Sequence, residues 1–245
     1  MELVERAKRI VADAEGKGIH ARLLGGLALY LLAPSAQSHV ALRRAYKDVD
    51  LVVPRQDGGK LTPILADAGF APDRRFNALH GETRLLYADR DDPGLQVDVF
   101  VGVFEQCHKL DLLVGAERMA YTITPSQLLL TKLQIVQLNE KDLKDLVTMF
   151  LDWSLGEDDK GLNRTTLSRV FGHDWGLFTT ASDNLDQVDK HAGDYLSDAE
   201  LTTVSEHSQA MRTLMASVPK SLRFRMREKI GRKLPWYETP EEVRR

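Results

Sequence analysis

Asp48 and Asp50 stand two apart in the stretch YKDVDLVVP, positions 46 to 54. Side chains on a strand alternate between faces, so the two carboxylates share one face while Val49 and Leu51 turn to the other. Asp98 sits in QVDVFVG. There Val97, Val99, Val101 and Val103 share a face, and Asp98 shares the opposite face with Phe100. If the two strands are neighbours, three carboxylates converge. Such a cluster repels itself unless cations neutralise it. Hard divalent ions such as Mg²⁺ take oxygen ligands of this kind, commonly with substrate phosphates completing the octahedron. A lone DxD is common by chance, and an acid on a sheet often faces solvent. The weight lies in the ordered set: a strand, Gly25-Gly26, a helix, the DxD strand, then the strand of Asp98.

The elements around these acids follow from periodicity. Leu3, Val4, Ala7, Ile10, Val11 and Ala14 form a helical stripe over residues 2–15, ended by Gly16 and Gly18. IHARLL predicts a short strand that stops at Gly25-Gly26, and LALYLLA a helix cut off by Pro34. Glycine at that strand-to-helix turn has two readings. It lets backbone N–H groups approach a phosphate at a helix N-terminus, or it merely supplies a positive φ. SAQSHVALRRAY predicts a polar loop. GGKLTPILADAGF predicts a turn and then a helix with a glycine stop. ETRLLYAD and LQVDVFVGVF predict paired strands joined by hairpin-turn residues. His80 and Arg84, four apart, would share a strand face and line the site.

The pattern turns helical near residue 121. Thr124-Pro125-Ser126-Gln127 is a helix start, followed by LLLTKLQIVQL. Asn139 to Asp142 is a second start before LKDLVTMFLDWSL. Helical patterns continue to the end, with loops expected at GEDDKGLN and TTASDN. The predicted fold class is therefore α+β: a mixed sheet with flanking helices over residues 1–120, then a helical domain over 121–245.

Composition excludes several classes. The chain has 245 residues, 43% apolar and 28% charged, with a formal net charge of −3. That charge gives no global field to recruit nucleic acid. Cys107 is the one cysteine, which rules out an internal disulfide and suits a reducing cytoplasm. No signal-peptide pattern opens the chain, and its longest apolar run is too short to span a bilayer, so no membrane association is expected.

The order LLGGLALYLL, KDVDLVV, LQVDVFVG resembles the nucleotidyltransferase superfamily with the polymerase-β-like fold. LLLTKLQIVQLNEKDLKDL is similar to the lysine-bearing helix and following acidic segment of bacterial abortive-infection (AbiEii-type) toxin nucleotidyltransferases and their relatives. The likeness spans roughly residues 20–150. It departs in the long polar stretch between Gly26 and Asp48, and beyond 155 nothing matches. The resemblance implies Mg²⁺-dependent transfer of a nucleoside monophosphate from an NTP, with ATP one candidate, to a hydroxyl. Asp48 and Asp50 would hold two metal ions. Asp98 would hold the one nearest the acceptor and take its proton. Gly25 and Gly26 would cradle the β- and γ-phosphates, and Lys132 would reach the triphosphate. Asp142 and Asp145 would border the metals or nucleotide, or Asp142 would simply favour a helix N-terminus.

The acceptor is open. In KSLRFRMREKIGRKLPWYE, Arg223, Arg225, Arg227, Arg232 and Lys233 interleave with aromatics, which suits an RNA or tRNA backbone. The same segment reads equally as a helix docked through Leu222, Phe224, Met226 and Ile230 with a solvated basic face. Arg43 and Arg44 would meet phosphate or lie in a solvated loop. Three classes follow: a toxin-like RNA nucleotidyltransferase with an antitoxin partner, an enzyme acting on a small molecule such as an aminoglycoside or lincosamide antibiotic, or a non-catalytic nucleotide-binding regulator.

Overall fold

A computed structural model of the chain describes residues 2–239. The architecture is α+β, as the sequence predicts. Helix α1 (Glu2–Gly16) buries its stripe of Val4, Ala7, Ile10, Val11 and Ala14. Then come β1 (Arg22–Leu24), α2 (Gly25–Leu32), α3 (Pro34–Ser38), β2 (Asp48–Val53), α4 (Leu61–Asp67), β3 (Phe70–Pro72) and α5 (Arg74–His80). Strands β4 (Arg84–Asp89), β5 (Gln96–Val101), β6 (Phe104–Glu105) and β7 (Lys109–Leu110) follow. The helical part holds α6 (Pro125–Leu133), α7 (Glu140–Asp152), a short parallel pair β8 (Leu155–Gly156) and β9 (Leu162–Asn163), α8 (Arg164–His173), α9 (Trp175–His191), α10 (Asp198–Ser217) and α11 (Leu222–Ile230).

The chain divides into two compact units. One comprises the N-terminal stretch through Leu32, Ala45–Glu105 and Lys109–Thr124. The other comprises Ala33–Arg44, Gln106–His108 and the chain from Pro125 onward.

In the first unit, five strands lie in the order β1-β2-β5-β4-β3. Only β2 and β5 run parallel to each other. Val49, Leu51, Val97 and Val99 are fully buried on the face away from the acids, each contributing about 1.5–3 kcal/mol of burial. β4 and β5 pair antiparallel through the expected hairpin. His80 closes α5 and Arg84 opens β4, so the expected sharing of one strand face does not hold. Asp73 caps α5 by accepting from the Phe76 N–H, which puts His80 on a helix and not on a strand.

The second unit is helical, and its caps are written in the sequence. Asn139, Asn163, Asp174 and Ser221 each accept a backbone N–H at a helix start, and Ser197 with Glu200 forms a capping box. One expected loop opens with a short helix and another is helical throughout. Residues 34–38 form α3, where Pro34 opens a new turn and Ser35 bonds Asp152. TTASDN lies inside α9. Its polar groups are absorbed there: Thr179 and Ser182 donate to the carbonyls of Trp175 and Phe178, and Asn184 donates to those of Leu133 and Ile135. Among the described residues no helix is long and apolar enough to cross a membrane.

Candidate active site on the central strands

The parallel register of β2 and β5 sets Asp50 directly beside Asp98, with Asp48 beside Gln96. Neighbouring strands lie about 4.8 Å apart, so Asp48, Asp50 and Asp98 share one face across two strands. All three are part-buried rather than fully solvated.

Gly25 shapes this face. It has φ 65°, and a Cβ built on it would meet Asp50 Oδ2 at 2.0 Å. The positive-φ reading of the glycine turn holds at Gly25, and the missing side chain also lets Asp50 lie against the start of α2. Gly26 continues as the second residue of that helix. Gly25→Ala is expected to cost at least about 1–2 kcal/mol for the left-handed backbone alone, with a further cost for displacing Asp50. The melting temperature should fall by roughly 2–8 °C. An unchanged melting curve would mean that neither the turn nor the carboxylate is constrained.

Asp98 has a partner on the next strand. Arg84 Nε donates to Asp98 Oδ1 at 2.8 Å, and a terminal nitrogen donates to Oδ2, the planar two-point pairing that guanidinium makes with carboxylate. Among the described residues no group of three His, Cys, Asp or Glu side chains is placed to hold a metal ion.

Lys132, Asp142 and Asp145 come together within the helical unit. Lys132 Nζ lies 2.8 Å from Asp142 Oδ1 and 2.9 Å from Asp145 Oδ2. Arg44 forks onto both oxygens of Asp145 at 2.8 Å. Burial works against the Lys132 charge, but Asp145 and Asp142 outweigh it and hold the ammonium above the ordinary lysine range. Burial likewise works against the Asp145 charge, and Lys132 and Arg44 together hold its carboxyl below the ordinary range. Asp142 also sits at the third position after the Asn139 cap and gives it a backbone N–H, so its helix-start reading holds alongside the ion pair. Arg44 is not the loop residue facing solvent that the sequence suggested. Its partner stands 101 residues away.

The basic segment is occupied in part. Arg227 donates to the carbonyls of Gly231, Leu234 and Pro235 and lies over Trp175. Arg232 pairs with Asp183, and Arg225 donates to the Lys220 carbonyl. Arg223 and Lys233 are exposed. Of the four apolar residues expected to dock α11, only Phe224 is buried. Leu222, Met226 and Ile230 are 74%, 64% and 41% exposed.

No family model matches the sequence, and no curated protein matches it. Solved structures of ANT(2'')-Ia are similar to it. A solution structure of this antibiotic-resistance factor shares 15% identity over 59% of this chain and 80% of its own, with a TM-score of 0.39. A crystal structure of ANT(2'')-Ia in complex with adenylyl-2''-tobramycin shares 14% identity over 93% of this chain and 99% of its own, with a TM-score of 0.41. Likeness at this level assigns no activity and no residue role.

Proposed function

We propose that the chain is a nucleotidyltransferase that moves a nucleoside monophosphate from an NTP to a hydroxyl acceptor, with pyrophosphate leaving. The observation that carries this reading is the pair Asp48 and Asp50 on one strand face, in register with Asp98 on the parallel neighbour and packed against the glycine that opens α2. Asp48 and Asp50 would hold Mg²⁺, which when bound supplies charge neutralisation for the phosphate oxygens. Backbone N–H groups at Gly25 and Gly26 would meet the β- and γ-phosphates at the N-terminus of α2. Asp98 would take the proton of the acceptor hydroxyl as it attacks. Catalysis would then rest on positioning and charge, as phosphoryl-group transfer generally does.

A triphosphate role for Lys132 rests on the sequence resemblance alone, since its ammonium is paired with Asp142 and Asp145 within its own unit. A small-molecule acceptor is the preferred reading, because Arg227 gives its donors to the carbonyls of Gly231, Leu234 and Pro235 and Arg232 pairs with Asp183, which leaves fewer of the segment's cations to an RNA backbone. The RNA acceptor, the antitoxin partner and the abortive-infection kinship rest on the sequence resemblance alone. A cytoplasmic setting rests on the single buried cysteine, Cys107.

The test is ligand-linked stability. At least one of the four NTPs with Mg²⁺ should raise the melting temperature, with a stabilisation that grows as ln(1 + [L]/Kd). No shift with any NTP, with or without Mg²⁺, would refute a nucleotide-binding function.

A further inference from the structure

We infer that the cation serving Asp98 is Arg84 and not a divalent metal ion, which leaves metal binding to Asp48 and Asp50 and makes Arg84 a positioning residue for Asp98. This rests on the nucleotidyl-transfer reading. The two-point pairing occupies both oxygens of Asp98. The register explains its reach. Arg84 stands opposite Phe100 and Leu86 opposite Asp98, so the arginine extends along its own strand by two residues to the carboxylate on the same face. Its guanidinium carbon lies 5.1 Å from the Phe100 ring centre and 5.9 Å from that of Phe76, and these π faces favour a cation held there. A metal ion bonded to Asp98 at about 2.1 Å would stand within about 5 Å of this fixed positive charge, in a part-buried setting where the repulsion is poorly screened. Arginine keeps its proton at any working pH. Asp98 is thus held oriented by a permanent partner, without spending a metal ion on its placement.

The experiment is a calorimetric titration of the full chain with Mn²⁺ in place of Mg²⁺, without nucleotide. Asp50→Asn is expected to weaken Mn²⁺ binding at least 10-fold, and Asp98→Asn to leave it within about two-fold of wild type. Asp98→Ser is the second variant should the asparagine form not fold. In turnover assays Arg84→Gln is expected to lower kcat about 10–100-fold, the range found for residues that orient a site's ligands, with KM for the NTP unchanged. Arg84→Lys should recover only part of this, because it restores the charge and not the fork. Loss of Mn²⁺ binding in Asp98→Asn equal to that in Asp50→Asn would overturn the inference while nucleotide-dependent stabilisation left the enzyme reading standing. Absence of both Mn²⁺ binding and NTP stabilisation in the wild type would overturn both.

Discussion

Asp145→Asn is expected to destabilise the chain by about 3–5 kcal/mol, the cost of stripping one partner from a buried ion network. The carboxylate is 2% exposed and neutralises two cations, Arg44 and Lys132. Its neutralisation takes from both cations the carboxylate they share, while Asp142 stays paired with Lys132. For a chain of this length the melting temperature should fall by roughly 10 °C. The pH dependence has a definite sign. The Asp145 carboxyl lies below its ordinary value when folded, so its contribution is present above about pH 4 and is lost as pH falls through the lowered folded value. Lys132 lies above its ordinary value when folded, so its contribution is present below about pH 10 and is lost only as pH rises through the raised value. Urea unfolding should therefore show a wild-type advantage over Asp145→Asn that is flat between these limits and shrinks in acid. An advantage already absent at pH 7 would mean the cluster contributes nothing to folding.

Asp48→Asn is expected to remove nucleotidyl transfer by on the order of 10³-fold or more, the scale of losing one preorganised contact to developing charge. The chain should stay folded. The change is nearly isosteric and takes one negative charge from a face that also carries Asp50 and Asp98. Circular dichroism and a melting curve like those of the wild type, together with lost transfer, separate a chemical role from a packing one. Full activity in this variant would remove Asp48 from the site.

The acid face was legible because a strand has a period of two. Asp48, Asp50 and Asp98 could be placed on their faces from alternation with Val49, Leu51, Val97 and Val99, and only the adjacency of β2 and β5 had to await the structure. Helix starts were legible because caps are local. Asn139 and Thr124-Pro125 announce themselves within four residues. What stayed hidden was long-range pairing. Nothing in the polar stretch around Arg44 points to Asp145 on α7, since side-chain reach across the fold leaves no periodic trace. Arg84 was noticed for its spacing from His80, a relation that α5 dissolves; its actual partner depends on the hairpin register. The TTASDN segment misled because its small polar residues suit loops, yet Thr179, Ser182 and Asn184 find carbonyls to bond from within α9. In α11 the apolar residues split between two faces, so counting them overstated how firmly the helix docks.

The most direct measurement is transfer of label from each α-labelled NTP, with Mg²⁺, to a panel of aminoglycosides, lincosamides and total cellular RNA, with Asp48→Asn in parallel. The account predicts label on a small hydroxyl-bearing acceptor with the wild type and none with the variant. Label transferred equally by both proteins, or to no acceptor despite NTP binding, would contradict the assignment of Asp48 and Asp50 as the centre of a nucleotidyltransferase.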